Sequence, residues 1–399
     1  MDIYDELGVR KIINGYATLT SLGGSIMPDE VMAAMAEASR YFVSIDELQE
    51  KAGRKIAEWT HNQAAYISCG AAAGIALGTA ACITGLDEAK RERLPFTEGM
   101  KNEIIVHRCA GDEYNFTVRQ AGGKVVSIGS EQGASLADLE GAINPMTAGI
   151  LVYYKEHRMQ GQVPLEQQIE VAKRHSVPLV VDAAAQLPPV ENLWRFTGMG
   201  ADLVIFSGGK GLCGPQSSGL VLGQRDLIEA CAFNACPRTY IGRPMKVGKE
   251  EIIGLLTAVR RYLDLDHAAL IRTYEEQVAY ILAAFAGDPG GHVSARRGFP
   301  SEAGQPMPRA ELFLDEAGLG ISRDALLKRL YEGHPAISLA PAGENGIYIN
   351  PQTLRPGEEK IIVERIKDLT TRSSAHPLII THIFEVRKWA KNKVHIGKI

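Results

Sequence analysis

Seven short apolar runs between residues 64 and 223 constrain this chain more than any other feature. They read "AAYIS" (64–68), "NEIIVH" (102–107), "KVVSIG" (124–129), "GILVYY" (149–154), "VPLVVDA" (177–183), "ADLVIFS" (201–207) and "GLVLG" (219–223). Most are apolar throughout. A strand with one wet face alternates apolar and polar residues, whereas a strand covered on both faces does not. The runs therefore predict an α/β fold: a mainly parallel seven-stranded sheet with helices on both sides. The segments between them carry helix start signals. "SLAD" (135–138) has the Ser-x-x-acid pattern, and Pro164 stands where a first turn begins ahead of "LEQQIEVAKRH".

Near residue 250 the rhythm changes. "KEEIIGLLTAVRRYLDL" is a long amphipathic helix with Ile252, Leu255, Leu256, Val259 and Leu263 on one stripe. A Gly/Pro-rich stretch (287–309) follows, and then strand-like "AELFLD" and "GIYIN" among helices. The expected organisation is an arm and helix over 1–50 and a large α/β domain over 51–250. A linking helix and a smaller C-terminal α+β domain fill 251–399.

The net charge of −4 gives no general attraction for nucleic acid or an anionic membrane. The basic residues Arg387, Lys388, Lys391, Lys393 and Lys398, set against Glu385, read as a solvated terminal helix and tail. No apolar run approaches eighteen residues, so no membrane span is expected. The six cysteines form no CxxC pair, which argues against a zinc or thioredoxin-type site, and no metal is expected. Free thiols and the absence of a signal-like N-terminus suit a reducing cytoplasm.

Ligands of open parallel sheets bind beyond the carboxyl ends of the strands. Two such ends carry reactive groups: Asp182 in "VVDAAAQLPP" and Lys210 in "FSGGKGLCGP". On neighbouring strands these ends would lie about 5 Å apart. An ion pair accounts for the acid and the amine but not for Gly208, Gly209 and Gly211. Those glycines allow unusual backbone angles and let something bulky approach the main chain.

Three chemistries use a lysine in such a setting. A P-loop needs G-x-x-x-x-G-K-[ST], but Gly211 follows Lys210 and Val204 stands where the first glycine belongs. Ser207 to Lys210 matches the Ser-x-x-Lys of penicillin-binding proteins. The two intervening glycines disfavour the helix that motif begins, and no S-D-N or K-T-G partner occurs. The third chemistry is a Schiff base with pyridoxal 5′-phosphate (PLP). It needs an acid to keep the pyridinium protonated, for which Asp182 serves, and a phosphate cup at a helix N-terminus. "YISCGAAAGIALGTAACITG" (66–85) offers the cup: after Cys69, the N–H groups of Gly70, Ala71 and Ala72 are unobstructed. Ser207 can add a hydroxyl.

"DAAAQLPP…GADLVIFSGGKGLCGPQSSGLVLG" followed by "IGRPMKVGKEEIIGLLTA" closely resembles the selenocysteine-synthase-like branch of the fold-type I PLP-dependent enzymes, which have an aspartate-aminotransferase-like fold. Within that branch the chain looks most like the D-glucosaminate-6-phosphate ammonia-lyase group. The likeness extends through "INGYATLTSLGG", "IDELQEKAGRKIAEWT" and "NPQTLRPGEE".

The resemblance implies a homodimer at least, with active sites at the interface. It implies that Lys210 carries the cofactor, that Asp182 meets the ring nitrogen, and that Gly70 and Ala71, next to Cys69, hold phosphate. A ring usually stacks on the pyridine from the loop after the "EIIV" strand. His107 is near the expected place, and Cys109, Ala110 and Tyr114 compete with it. A substrate carboxylate calls for the planar fork of arginine. Arg355 in "NPQTLRPGEE" and Arg243 in "YIGRPMKVGK" are the candidates, the latter reaching the neighbouring subunit with Lys246. Gln186 is placed to line the pocket, and Thr18, Thr20 and Gly23-Gly24 of the arm to cover it. Bacterial selenocysteine synthase has an extra N-terminal domain for its transfer RNA. This sequence begins with the arm and is acidic overall, which argues against seryl-tRNA as substrate.

The expected activity is therefore a lyase that eliminates a β-substituent from a small amino acid, hydroxyl-bearing or sugar-derived, to give a 2-oxo acid and ammonia. An aminotransferase, racemase or aldolase would use the same residues. A selenium-transferase-like or non-catalytic PLP-binding protein is the remaining alternative.

Overall fold

The computed structural model describes residues 2–111, 113–287, 290–301 and 303–373. The basic C-terminal residues named above lie outside them. In chain order the described strands are β1 (Ile12–Asn14), β2 (Ala64–Ser68), β3 (Glu103–His107), β4 (Lys124–Ile128), β5 (Thr147–Tyr153), β6 (Leu179–Asp182), β7 (Leu203–Ser207), β8 (Gly219–Gly223), β9 (Val293–Gly298), β10 (Arg309–Leu314), β11 (Ala336–Ser338), β12 (Ala340–Ala342) and β13 (Gly346–Ile349).

The seven apolar runs form one sheet, in the order β2-β8-β7-β6-β5-β3-β4. Every pairing is parallel except those of β8, which runs antiparallel to both β2 and β7. Two helical layers cover the sheet. One contains Ala71–Thr84, Asn115–Gln120 and Arg225–Asn234, which pack on Ile104, Val106, Leu151, Val180 and Ile205. The other contains Ile45–Trp59, Leu165–His175, Asn192–Met199 and Lys249–Asp264, which pack on Ile105, Ile150, Val152, Val181 and Phe206. Adjacent strand residues thus enter different cores, which is why the runs could not alternate.

The start signals act where the sequence put them. Ser135 and Asp138 form a reciprocal capping box ahead of Leu136–Ala142. Pro164 is the N-cap rather than a residue of the first turn, and the helix it opens runs from Leu165 to His175. In Lys249–Asp264 the residues Ile252, Leu255, Val259 and Tyr262 are buried, with Leu256 and Leu263 at the rim. Each such buried side chain contributes about 2 kcal/mol relative to an exposed one.

A second, smaller unit holds the antiparallel sheet β12-β13-β10-β9 and the helices His267–Phe285, Arg323–Glu332 and Glu358–Ser373. The first residues of the chain join it. β1 pairs in parallel with β11, and Ile13 enters the same core as Leu312, Ile347 and Ile362. No helix of the described residues is long and apolar enough to cross a membrane.

Candidate active site

β6 and β7 are neighbours, with Asp182 opposite Ile205, so Asp182 and the loop after Ser207 meet at one end of the sheet. Both Asp182 and Lys210 line a cavity of about 150 Å³ there. Asp182 is 8% exposed, and its Oδ1 accepts the Ala184 N–H at 3.0 Å. Burial raises its pKa, against the opposing effects of that N–H and of the Lys210 and Lys155 ammonium groups. Burial likewise lowers the pKa of Lys210; Asp182 opposes that shift and Lys155 adds to it. Desolvation therefore favours the neutral form of each, while their mutual attraction favours the charged pair.

The glycines around Lys210 have a different use from the one expected. None of Gly208, Gly209, Gly211 and Gly214 has a positive φ. The bulk that approaches them is the protein's own. A Cβ at Gly208 would lie 2.0 Å from Ser218 Oγ, one at Gly209 2.7 Å from Gln216 Cα, and one at Gly211 2.4 Å from the Leu187 carbonyl oxygen. The glycines let the lysine loop fold tightly against neighbouring backbone. The arm fixes it from behind: Ser25 Oγ donates to the Gly209 carbonyl at 2.9 Å, and Gln216 Nε2 to that of Thr20 at 3.3 Å. Thr18, Thr20, Gly23 and Gly24 do not line the cavity.

The helix Ala71–Thr84 begins over β8. A Cβ at Gly219 would come 2.4 Å from Gly70 C, so the glycine permits that contact. Helical hydrogen bonding starts with Gly74 N–H to Gly70 O, leaving the N–H groups of Ala71, Ala72 and Ala73 at the helix end. Space around a Cβ at Gly70 is open to 4 Å. Gly219 pairs with Ser68 on one side and Ser207 on the other. Two strand spacings, roughly 10 Å, separate this helix end from Asp182. Ser207 and Asp182 share the alternation of Ile205 and Val180, on the face covered by Ala71–Thr84. Cys69, Gly70, Ala71 and Ser207 thus ring the same sheet end but are not cavity-lining residues.

His107 is a correction. It alternates with Ile105 and points to the opposite face, where its Nε2 accepts the Val163 N–H at 3.4 Å. The ring is 1% exposed, and burial pushes its pKa down to about 4, so it is neutral. It does not line the cavity. Tyr114 does; its phenol pKa is raised by burial and then by the charges of Asp182 and Glu113. Cys109 abuts Gly161 instead, and Ala110 lies in the core.

Gln186 also lines the cavity, and its Nε2 donates to the Ala303 carbonyl at 3.1 Å. Neither arginine lines the cavity within one chain. Arg355 is exposed, its backbone N–H bonded to Glu358, and Arg243 is exposed with its guanidinium 3.7 Å from Cys236 Sγ. The sequence did not single out Glu113, Tyr153, Tyr154 or Lys155, all cavity residues. Lys155 had a signal. It follows a parallel strand run directly, by the same rule that selected Asp182.

This donor set suits PLP. A buried carboxylate, an amine in the loop that leaves the next strand and open helical N–H groups two strands away match a ring nitrogen, an aldehyde and a phosphate. A family model described as L-seryl-tRNA selenium transferase matches residues 12–274.

The chain belongs to that family.

Among its relatives is the D-glucosaminate-6-phosphate ammonia lyase of Salmonella typhimurium, 33% identical over 94% of this chain and 99% of that protein. Another, also 33% identical, is the 5'-C-glycyluridine monooxygenase-decarboxylase of a Streptomyces species, over 92% and 91% of the two chains. A solved structure of D-glucosaminate-6-phosphate ammonia-lyase superposes with a TM-score of 0.83 at 32% identity, covering 94% of this chain and 99% of that one. The family's fold is that of the fold-type I PLP-dependent enzymes, and PLP is the cofactor it implies here.

Proposed function

We propose that this protein is a PLP-dependent ammonia-lyase that eliminates a β-hydroxyl from an amino acid, sugar-derived as in D-glucosaminate 6-phosphate or otherwise small. The observation that carries this is the placement of Lys210 and Asp182 on adjacent strand ends facing one cavity. The D-glucosaminate-6-phosphate ammonia lyase named above and its solved structure support the same reaction class.

Bound PLP supplies an electron sink for the pair left when the α-proton departs. The chain's own residues do the rest. Lys210 would hold the cofactor and, with its amine free, take the α-proton; its burial favours the neutral amine this role requires. Asp182 would keep the ring nitrogen protonated, its own charge favoured by the Ala184 N–H and by the Lys210 and Lys155 ammonium groups. The N–H groups of Gly70 and Ala71, beside Cys69, with the Ser207 hydroxyl, bind the phosphate. Tyr114 and Gln186 border the substrate space. Loss of the β-hydroxyl leaves an enamine, whose hydrolysis gives a 2-oxo acid and ammonia. We further propose a homodimer acting in the cytoplasm on a small molecule.

The test uses purified protein loaded with PLP. Borohydride should fix the cofactor on Lys210, located by peptide mass spectrometry. A panel of D- and L-hydroxy amino acids and D-glucosaminate 6-phosphate should yield equal amounts of 2-oxo acid and ammonia. Interconversion of enantiomers without ammonia would make the protein a racemase. Release of carbon dioxide would place it with the decarboxylase relative.

A further inference from the structure

An amino-acid substrate brings a carboxylate into a cavity that already holds Asp182 and Glu113. That charge needs a cation, and neither Arg355 nor Arg243, the latter expected at a neighbouring subunit's site, lines the cavity within this chain. Besides Lys210, the cation among the described residues lining the cavity is Lys155. It extends from the carboxyl end of β5, which pairs with β6 on the side away from β7. Asp182 is thus flanked by Lys210 on one side and Lys155 on the other.

We propose that Lys155 binds the substrate's carboxylate, exchanging its present partner Glu113 for it. The Lys155 Nζ to Glu113 separation is 3.6 Å, and the Glu113 side chain is 56% exposed. A good charge-assisted hydrogen bond is nearer 2.8 Å, and an exposed pair stabilises little, about 1 kcal/mol or less. The exchange therefore gives up a weak contact for one formed in a more enclosed place. Glu113 holds the ammonium in position before substrate arrives and competes with it afterwards. A phosphate on a sugar acid has the same anionic-oxygen chemistry, so the experiment separates the two groups.

The inference rests on the PLP reading, and its readout is ligand binding rather than turnover. The visible absorbance of the PLP-loaded protein is titrated with D- and L-serine, with ethanolamine, which lacks the carboxylate, and with O-phosphoethanolamine. The wild type should prefer serine over ethanolamine by roughly 10- to 100-fold, the range of a hydrogen bond to a charged group. Lys155→Met should bring that ratio close to one with ethanolamine binding unchanged, and Lys155→Arg should restore most of it. Glu113→Gln should tighten serine binding several-fold. An unchanged serine preference in Lys155→Met overturns the proposal. A collapse of the O-phosphoethanolamine preference alone overturns it in favour of a phosphate, and loss of cofactor absorbance in Lys155→Met overturns it in favour of a cofactor contact. A wild type that never gains that absorbance refutes the PLP reading itself; a coloured wild type with an unchanged ratio in Lys155→Met refutes only the role of Lys155.

Discussion

The two faces of the seven-stranded sheet end in different ways. On the face under Ala71–Thr84, the strands end in Asp182 and Ser207 beside a cavity that also holds Lys210 and Lys155. On the other face, β3 ends in His107, sealed under the Val163 amide. Burial pushes both Asp182 and His107 towards their neutral forms. Desolvation alone therefore does not mark a site. The difference lies in the company: Asp182 has opposite charges and open space, while His107 has a backbone N–H and apolar packing.

Substitutions can break this contrast or sharpen it. The largest effect is expected at Lys210. Lys210→Ala should lower kcat by about 10³-fold or more and abolish borohydride fixation of PLP, read by mass spectrometry. Asp182→Asn should follow with a loss of roughly 10²-fold and a shifted cofactor absorbance spectrum. Tyr114→Ala removes an aromatic wall of the substrate space worth about 1 kcal/mol, so the substrate Kd should rise roughly three- to tenfold by absorbance titration. His107→Gln should change kcat least, by less than about threefold. If His107→Gln discharged the cofactor while Asp182→Asn kept it, the assignment of the two faces would be reversed.

His107 should instead appear in stability. An unfolded histidine titrates near 6.5, whereas the folded one does so at about 4. Between these values the unfolded chain binds the extra proton. Stability is thus full above pH 6.5 and declines as the pH falls towards 4, by about 3 kcal/mol in total. Denaturant melts across that window should show the slope in the wild type and a flatter one in His107→Gln.

The pairing of Asp182 with Lys210 was legible because a parallel strand delivers its ligand-facing residue at its carboxyl end, and both runs announce where they stop. The helix end at Gly70 was legible only beside Asp182 and Lys210, since an Ala/Gly-rich buried helix by itself more often serves packing. The choice between His107 and Tyr114 was not. One residue of register decides which face a side chain occupies, and His107 sits on the wrong one. Lys155 stood at a readable position, directly after a parallel strand run, but the groups that face it there, Glu113 and Asp182, are set by tertiary packing. Arg355 and Arg243 have the chemistry a carboxylate needs; that neither lines this chain's own cavity depends on contacts remote in sequence.

By itself the sequence determined the seven strands, their mainly parallel arrangement, and an acid and an amine at or just past the ends of two of them. Those are consequences of apolar periodicity and of where each run stops, which are local. Only the tertiary structure decided which side chains share the cavity, that the glycines around Lys210 accommodate Ser218, Gln216 and Leu187, and that β1 pairs with a strand more than three hundred residues away. Those depend on how distant segments pack, and packing is a property of the assembled volume that no short stretch encodes alone.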